Sequence, residues 1–316
     1  LIPIYTTASN AKALASVLEV KLGHEEDESA KIALLREVAA LCEGKVKDPQ
    51  RAFERYLSAF ELAPADEQAR VDVERVAKVT GAWDKLESAY VRAVEGADNN
   101  GERDLAIALR LRLGRVLVEE AGRVDDALAT YRAVYEADGE NAEAMGALER
   151  LYRQTGRHKD LLEIYEKQRD LTYEPDQKRR IQYEIAKLYE AEMRDVDKAI
   201  ETYTAVLDDE PADARALAAL DVLYGQLERW EPYADVLRRR IDLEQGTDAL
   251  VDLKFRLGTT LEKHLGDAPG ALENYREILA LKPTHDGARL ALEALLTNED
   301  LKADAASILQ GIYEER

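Results

Sequence analysis

One segment of this chain is written four times, and that repetition governs what the chain can fold into. RAFERYLSAFELAPAD at 51–66, DALATYRAVYEADGEN at 126–141, KAIETYTAVLDDEPAD at 198–213 and GALENYREILALKPTH at 270–285 each carry a small residue followed four places later by tyrosine. The pairs are Ala52 and Tyr56, Ala127 and Tyr131, Ala199 and Tyr203, and Ala271 and Tyr275, with the alanines 75, 72 and 72 residues apart. A separation of four puts both anchors on one helical face. A second series, Leu14, Leu86, Leu161, Tyr233 and Ala305, interleaves with the first and is followed four places on by Leu18, Tyr90, Tyr165, Leu237 and Leu309. The offsets between the two series alternate between 34 and 38, except for 41 where the stretch 98–101 inserts three residues. The repeating unit is therefore a pair of helical hairpins, each burying its apolar face only against its neighbours.

Helix punctuation agrees with this period. Pro64, Pro211 and Pro283 fall where helices end, and Pro49, Pro175, Pro232 and Pro269 fall near helix starts, where a missing N–H costs nothing. Asp48, Asp195 and Asp267 stand as N-caps, and Arg123 breaks the pattern at the equivalent place. No run alternates with the period of two that a strand requires. The pattern predicts seventeen helices, at 10–22, 28–43, 48–61, 66–80, 83–96, 102–121, 124–137, 141–155, 158–171, 174–193, 196–209, 213–227, 230–243, 247–265, 268–281, 285–298 and 301–314. They group as one array over 1–316, with super-repeats at 28–96, 102–171, 174–243 and 247–314 and a half-hairpin in 1–22.

The hairpins resemble tetratricopeptide (TPR) repeats, whose first helix carries a large, a small and a large residue and whose second carries small, aromatic and proline. Those sites hold Val38, Ala39, Cys42, Ala52, Tyr56 and Pro64; Leu113, Gly114, Leu117, Ala127 and Tyr131; Ile185, Ala186, Tyr189, Ala199, Tyr203 and Pro211; and Leu257, Gly258, Leu261, Ala271, Tyr275 and Pro283. Two departures are visible: one extra residue lies between the helices of these hairpins, and Gly139 replaces the terminal proline of the second. In the intervening hairpins the small site holds Glu74, Glu149, Asp221 and Glu293, which is expected to be a half-exposed acidic face. Trp83 and Trp230, opening second helices of two such hairpins, are expected to be packing residues. The resemblance implies an all-α, right-handed solenoid of eight hairpins plus one unpaired N-terminal helix. Neither end carries a polar capping helix, so the chain is expected to be an excerpt of a longer array or polypeptide.

No catalytic constellation stands out in the sequence. His24, His158, His264 and His285 lack zinc-ligand spacing, and Cys42 occupies an apolar first-helix site without a second cysteine. The Gly–Lys pair at 44–45 has neither the upstream glycine nor the following hydroxyl of a phosphate loop. Among 64 acidic residues, neighbouring carboxylates carry no information about acid–base work. No cofactor and no enzymatic activity are expected. No apolar run reaches the ~18–20 residues that span a bilayer, and a net charge of −20 disfavours indiscriminate contact with a phosphate backbone. Compartment stays open between cytoplasm and bacterial periplasm, since one cysteine suits either; the composition is similar to that of bacterial TPR proteins.

What remains is a surface. The resemblance implies that first helices line a concave groove, with the residue after the small site pointing into it. That line reads Ala40, Arg75, Arg115, Arg150, Lys187, Val222, Thr259 and Ala294, four consecutive cations in an acidic chain. One turn earlier it reads Arg36, Val71, Leu111, Gly146, Tyr183, Ala218, Phe255 and Leu290, and Lys78 and Arg153 extend the basic stretch. The expected site is thus Arg75, Lys78, Leu111, Arg115, Arg150, Arg153, Tyr183, Lys187 and Phe255, receiving a protein or an acidic peptide segment. The competing expectation is self-neutralisation along each helix: Arg75 with Asp72, Arg115 with Glu119, and Lys187 with Glu184 or Glu190. The Lys and Asn pair by which some TPR domains hold a chaperone's carboxylate is not reproduced. Two other functions are compatible with such hairpins: RNA binding by a helical-repeat array, as in half-a-TPR and pentatricopeptide families, and service as the targeting region of a larger enzyme.

Overall fold

A computed structural model describes residues 10–314, and every regular element among them is a helix. In chain order these are α1 (Ala11–His24), α2 (Glu28–Leu41), α3 (Pro49–Leu62), α4 (Glu67–Thr80), α5 (Trp83–Asn99), α6 (Arg103–Glu119), α7 (Val124–Ala137), α8 (Ala142–Thr155) and α9 (His158–Leu171). There follow α10 (Pro175–Lys187), α11 (Val196–Asp209), α12 (Ala214–Gln226), α13 (Trp230–Leu243), α14 (Thr247–Thr260), α15 (Ala268–Leu281), α16 (Asp286–Leu295) and α17 (Lys302–Glu314). All seventeen expected helices are present in order. The opening residues of the expected half-hairpin, 1–9, lie outside the described residues.

The caps fall where the sequence places them. Asp48, Asp195 and Asp267 each accept a hydrogen bond from a backbone N–H three residues on, with Pro49 and Pro269 in the first turns beyond. Arg123 makes no side-chain cap and bonds to Asp126 at 2.7 Å instead. Asn10, Asp27, Asp66, Asn141 and Asp213 cap five further helices.

The extra residue inside the tyrosine-bearing hairpins has a structural solution. Helices α2, α10 and α14 each end in a π-helical stretch, Cys42–Val46, Leu188–Met193 and Leu261–Leu265, whose wider turns absorb it. Each stretch closes on a left-handed residue, Lys47, Arg194 or Gly266. The N–H of the following cap then returns to a carbonyl at the start of the stretch: Asp48 to Cys42 at 2.9 Å, Asp195 to Tyr189 at 2.9 Å and Asp267 to Leu261 at 2.8 Å. After α6 the same place is taken by Gly122, also left-handed, and Arg123 bonds back to Leu117 at 2.8 Å.

The predicted anchors are the core. Ala52, Ala127, Ala199 and Ala271 are fully buried, and the four tyrosines four places on are nearly so. The small first-helix sites sit under those rings: a Cβ on Gly114 would stand 2.6 Å from Tyr131, and one on Gly258 would stand 2.8 Å from Tyr275. In three of the four hairpins the phenol also donates to a glutamate thirteen residues earlier. These bonds are Tyr56 to Glu43 at 3.5 Å, Tyr203 to Glu190 at 3.2 Å and Tyr275 to Glu262 at 2.7 Å. Val118 holds that position for Tyr131. Cys42 is a buried thiol, and burial pushes its pKa up.

The helices divide into two compact units, Leu1–Ile164 and Tyr165–Arg316, with the division inside α9. In the first, Phe60 of α3 packs on Tyr90 of α5, ring centroids 4.8 Å apart. In the second, one apolar cluster runs from Tyr233 and Leu237 through Leu257 and Tyr275 to Leu292 and Leu309. Within each unit helices pack chiefly against their neighbours in sequence, the hallmark of a stacked hairpin array.

Candidate functional site

Three of the acidic small sites of the intervening hairpins, Glu74, Glu149 and Glu293, are partly exposed as expected from sequence, and the fourth, Asp221, is buried. Glu74 of α4 accepts from the Tyr90 hydroxyl and from Arg112 Nε at 3.0 Å. Asp221 of α12 is 2% exposed and lies between Arg240 of α13 and Arg256 of α14, while Arg256 also donates to the Tyr233 hydroxyl. Glu293 of α16 accepts from the Tyr313 hydroxyl at 2.8 Å and from Arg289 at 2.8 Å. Glu149 of α8 pairs with Arg153 at 3.0 Å. A carboxylate is too large for the close crossing a glycine permits; Glu74, Asp221 and Glu293 instead couple helices through phenol or guanidinium groups of their neighbours, whereas the Glu149 pair with Arg153 lies within α8.

In the first unit the expected cations gather on α4, α6 and α8. A pocket of about 320 Å³ between α4 and α6 is bordered by Arg75, Lys78, Arg112, Arg115 and Trp83, with Glu74, Glu119 and Glu120. A second pocket, of about 350 Å³, lies along α8, lined by Gly146, Glu149, Arg150, Arg153 and Gln154. Trp83 is half-buried and borders the first pocket. Trp230 fits the packing expectation: it stacks on His264, ring centroids 3.7 Å apart, and meets Tyr233 edge-on.

Most of these cations are paired, and largely between hairpins. Arg75 reaches Glu43 beyond α2 and Asp72 on its own helix, which raises its pKa well above the usual value. Lys78 pairs with Glu120 at 2.9 Å, and Arg112 holds Glu74 and Glu67. Arg115 pairs with Glu143 of α8 at 2.8 Å rather than with Glu119. Arg36 joins the same lattice through Asp66 at 3.2 Å. Arg150 differs: it is exposed and makes no hydrogen bond or ion pair among the described residues. It shares the surroundings of Tyr131 with Arg115, since both charges act on that phenol.

The remaining expected residues are placed otherwise. Leu111 is half-buried on α6. Lys187, Tyr183 and Phe255 belong to the second unit. Lys187 is exposed and pairs with Glu184 at 3.2 Å. Tyr183 is only 5% exposed; its hydroxyl donates to Asp213 and the Arg215 guanidinium lies 3.9 Å over its ring, so it is a packed residue with no open face. Phe255 is half-buried against Tyr275 and His285. The second unit's first helices instead expose apolar side chains, Val222 and Leu290. Among the described residues no group of three His, Cys, Asp or Glu could hold a metal ion, and no helix is long and apolar enough to cross a membrane.

Comparison with known protein families finds the tetratricopeptide repeat pattern twice, at residues 144–179 and at 181–213. The chain carries tetratricopeptide repeats. The first TPR match covers α8 and α9, an intervening hairpin with Glu149 at its small site; the second reaches across α11, a tyrosine-bearing hairpin. Both kinds of hairpin are thus TPR modules. No curated protein sequence matches the chain. Among solved structures, the TPR protein YrrB, described as having an unusual peptide-binding site, is 16% identical, with 64% of this chain and 98% of that one covered at a TM-score of 0.33. The TPR2AB domain of yeast Sti1 in complex with an HSP90 peptide is 16% identical, with coverages of 90% and 99% and a TM-score of 0.35. MamA is 19% identical, with coverages of 61% and 89% and a TM-score of 0.29.

Sequence reasoning missed Arg112 and Trp83 as pocket residues. Arg112 precedes the small site by two rather than following it, so it lies off the line of groove positions. Trp83 opens a second helix, where its regular placement favours packing.

Proposed function

We propose that this TPR protein is a noncatalytic scaffold, a single repeat array whose first unit receives an acidic peptide segment of a partner protein across α4, α6 and α8. TPR modules serve protein–protein interaction, and this reading locates the contact. Its carrier is Arg150, an exposed guanidinium without a carboxylate in a chain of net charge −20. Arg115, beside it, is about half exposed and held by an equally exposed Glu143, a pair an incoming carboxylate can replace at little cost. Arg153, Arg75 and Lys78 extend the contact, and Val71, one turn before Arg75, offers an exposed apolar side chain. Because the helices are ordered by folding, a docking segment meets a preformed surface and only the segment loses freedom.

The test is fluorescence anisotropy with a labelled peptide rich in glutamate and aromatic residues. Reversing Arg115 and Arg150 together to Glu is expected to abolish its binding without change in helicity. Unaltered affinity would refute the assignment. Binding of wild type should also weaken as salt is raised.

A further inference from the structure

The second unit contains a pocket that the first-helix reading does not use. It lies between the N-terminal end of α10 and the C-terminal end of α11, with a volume of about 440 Å³, within the usual range of ligand sites. Its walls include Tyr173, Pro175 and Val206, and Tyr173 is 95% exposed. Gln182 of α10 also lines it. That side chain is only 6% exposed, and its carboxamide makes no hydrogen bond to any described residue. Its Oε1 and Nε2 are not sealed from solvent, so the carboxamide opens onto the pocket with both its acceptor and its donors unused by the protein.

The repeat supplies the comparison. Four residues before the small site of each tyrosine-bearing hairpin stand Leu35, Arg110, Gln182 and Lys254. Leu35 is apolar and buried, Arg110 is paired with Asp98, and Lys254 is paired with Glu277. Ala205, seventy-two residues before Glu277, stands at the place of that acid in α11. Three super-repeats thus resolve this position internally, by an apolar side chain or an ion pair, and one leaves a carboxamide facing a pocket.

The charges at the rim are already occupied with one another: Lys178 pairs with Asp209 at 3.1 Å, and Arg179 with Asp176. The free group is therefore neutral, and it both donates and accepts. Its complement is another amide. We infer that this pocket binds a peptide group of an extended partner segment, its N–H and C=O paired with the Gln182 carboxamide and an adjacent small apolar side chain resting on Val206 and Tyr173. The site is independent of the cations of the first unit.

The experiment titrates the full chain with N-acetyl-leucine-N-methylamide while following the Gln182 side-chain amide signals by NMR. Isoamyl acetate, similar in size and without an N–H, is the control. Saturable shifts at Gln182 and Val206 with the amide and none with the ester are expected. Gln182→Leu, which copies Leu35, should weaken binding by about tenfold, the equivalent of ~1.4 kcal/mol. The double variant Gln182→Lys with Ala205→Glu, which copies the pair of Lys254 and Glu277, should close the pocket and remove the shifts; if Gln182→Leu fails to fold, this variant decides. Arg115→Glu with Arg150→Glu should leave the titration unchanged. Shifts absent with the amide, equal for amide and ester, or retained in the double variant would overturn the proposal, as would a Gln182 that holds only an ordered water.

Discussion

The two kinds of hairpin reach the same stacked arrangement by opposite chemistry. In the tyrosine-bearing kind, Ala39, Gly114, Ala186 and Gly258 let an aromatic ring of the second helix sit directly on the first, and dispersion and burial hold the crossing. In the intervening kind, Glu74, Asp221 and Glu293 occupy that site and are held by hydroxyls and guanidinium groups from neighbouring helices. Contact by shape tolerates no extra atom. Contact by charge tolerates no missing partner, because a buried carboxylate or guanidinium left alone is costly.

Four substitutions probe this contrast. The largest effect is expected from Asp221→Ala, which strands Arg240 and Arg256; a loss of ~3 kcal/mol follows from breaking such a pair, and urea unfolding read on Trp230 fluorescence measures it. Gly258→Ala attacks the other kind of crossing in the same unit. Its methyl would meet the Tyr275 ring at 2.8 Å, and overpacking of this sort costs ~1–3 kcal/mol.

Asp213 joins the two kinds, capping α12 while accepting the Tyr183 hydroxyl. Burial pushes its pKa up, but the bonds from Tyr183 and the backbone N–H groups of Ala216 and Arg215 outweigh this and hold it below the usual aspartate value. A depressed native pKa means that its stabilisation is present above the unfolded value of ~3.9 and disappears as pH falls through the native one. Asp213→Asn should therefore lower stability at pH 6 and flatten the loss seen on acidification below about pH 4, as read by thermal unfolding across that range. The smallest effect is a gain. Lys47 and Arg194 adopt the left-handed conformation that Gly266 adopts at the equivalent turn, so Arg194→Gly should stabilise by ~1 kcal/mol, measured by the same denaturation.

The helices, their caps and the anchors were legible because each is a local signal: a proline, an aspartate, a spacing of four. The matches at 144–179 and 181–213 confirm the repeat type that those spacings imply. The extra residue of the hairpins was visible, but its π-helical solution was not, since hydrogen-bond register leaves no mark on side-chain choice at Cys42 or Leu261. The role of Glu74 and Asp221 was hidden for a different reason. Their partners Arg112 and Arg256 lie 38 and 35 residues away, beyond any pattern read within one helix. For the same reason spacing within the helix points Arg115 to Glu119, whereas its partner is Glu143. A glutamate thirteen residues before three of the four tyrosines is a regularity of the repeat that does mark such a partner.

The claim that the first unit's α4, α6 and α8 receive an acidic segment is tested most directly by mapping the labelled acidic peptide on the isotopically labelled full chain by NMR. The account predicts shifts concentrated around Arg75, Arg115 and Arg150, with the Arg115 and Arg150 side chains broadened first. Shifts centred on the second helices α5 and α7, or on the second unit, would contradict it.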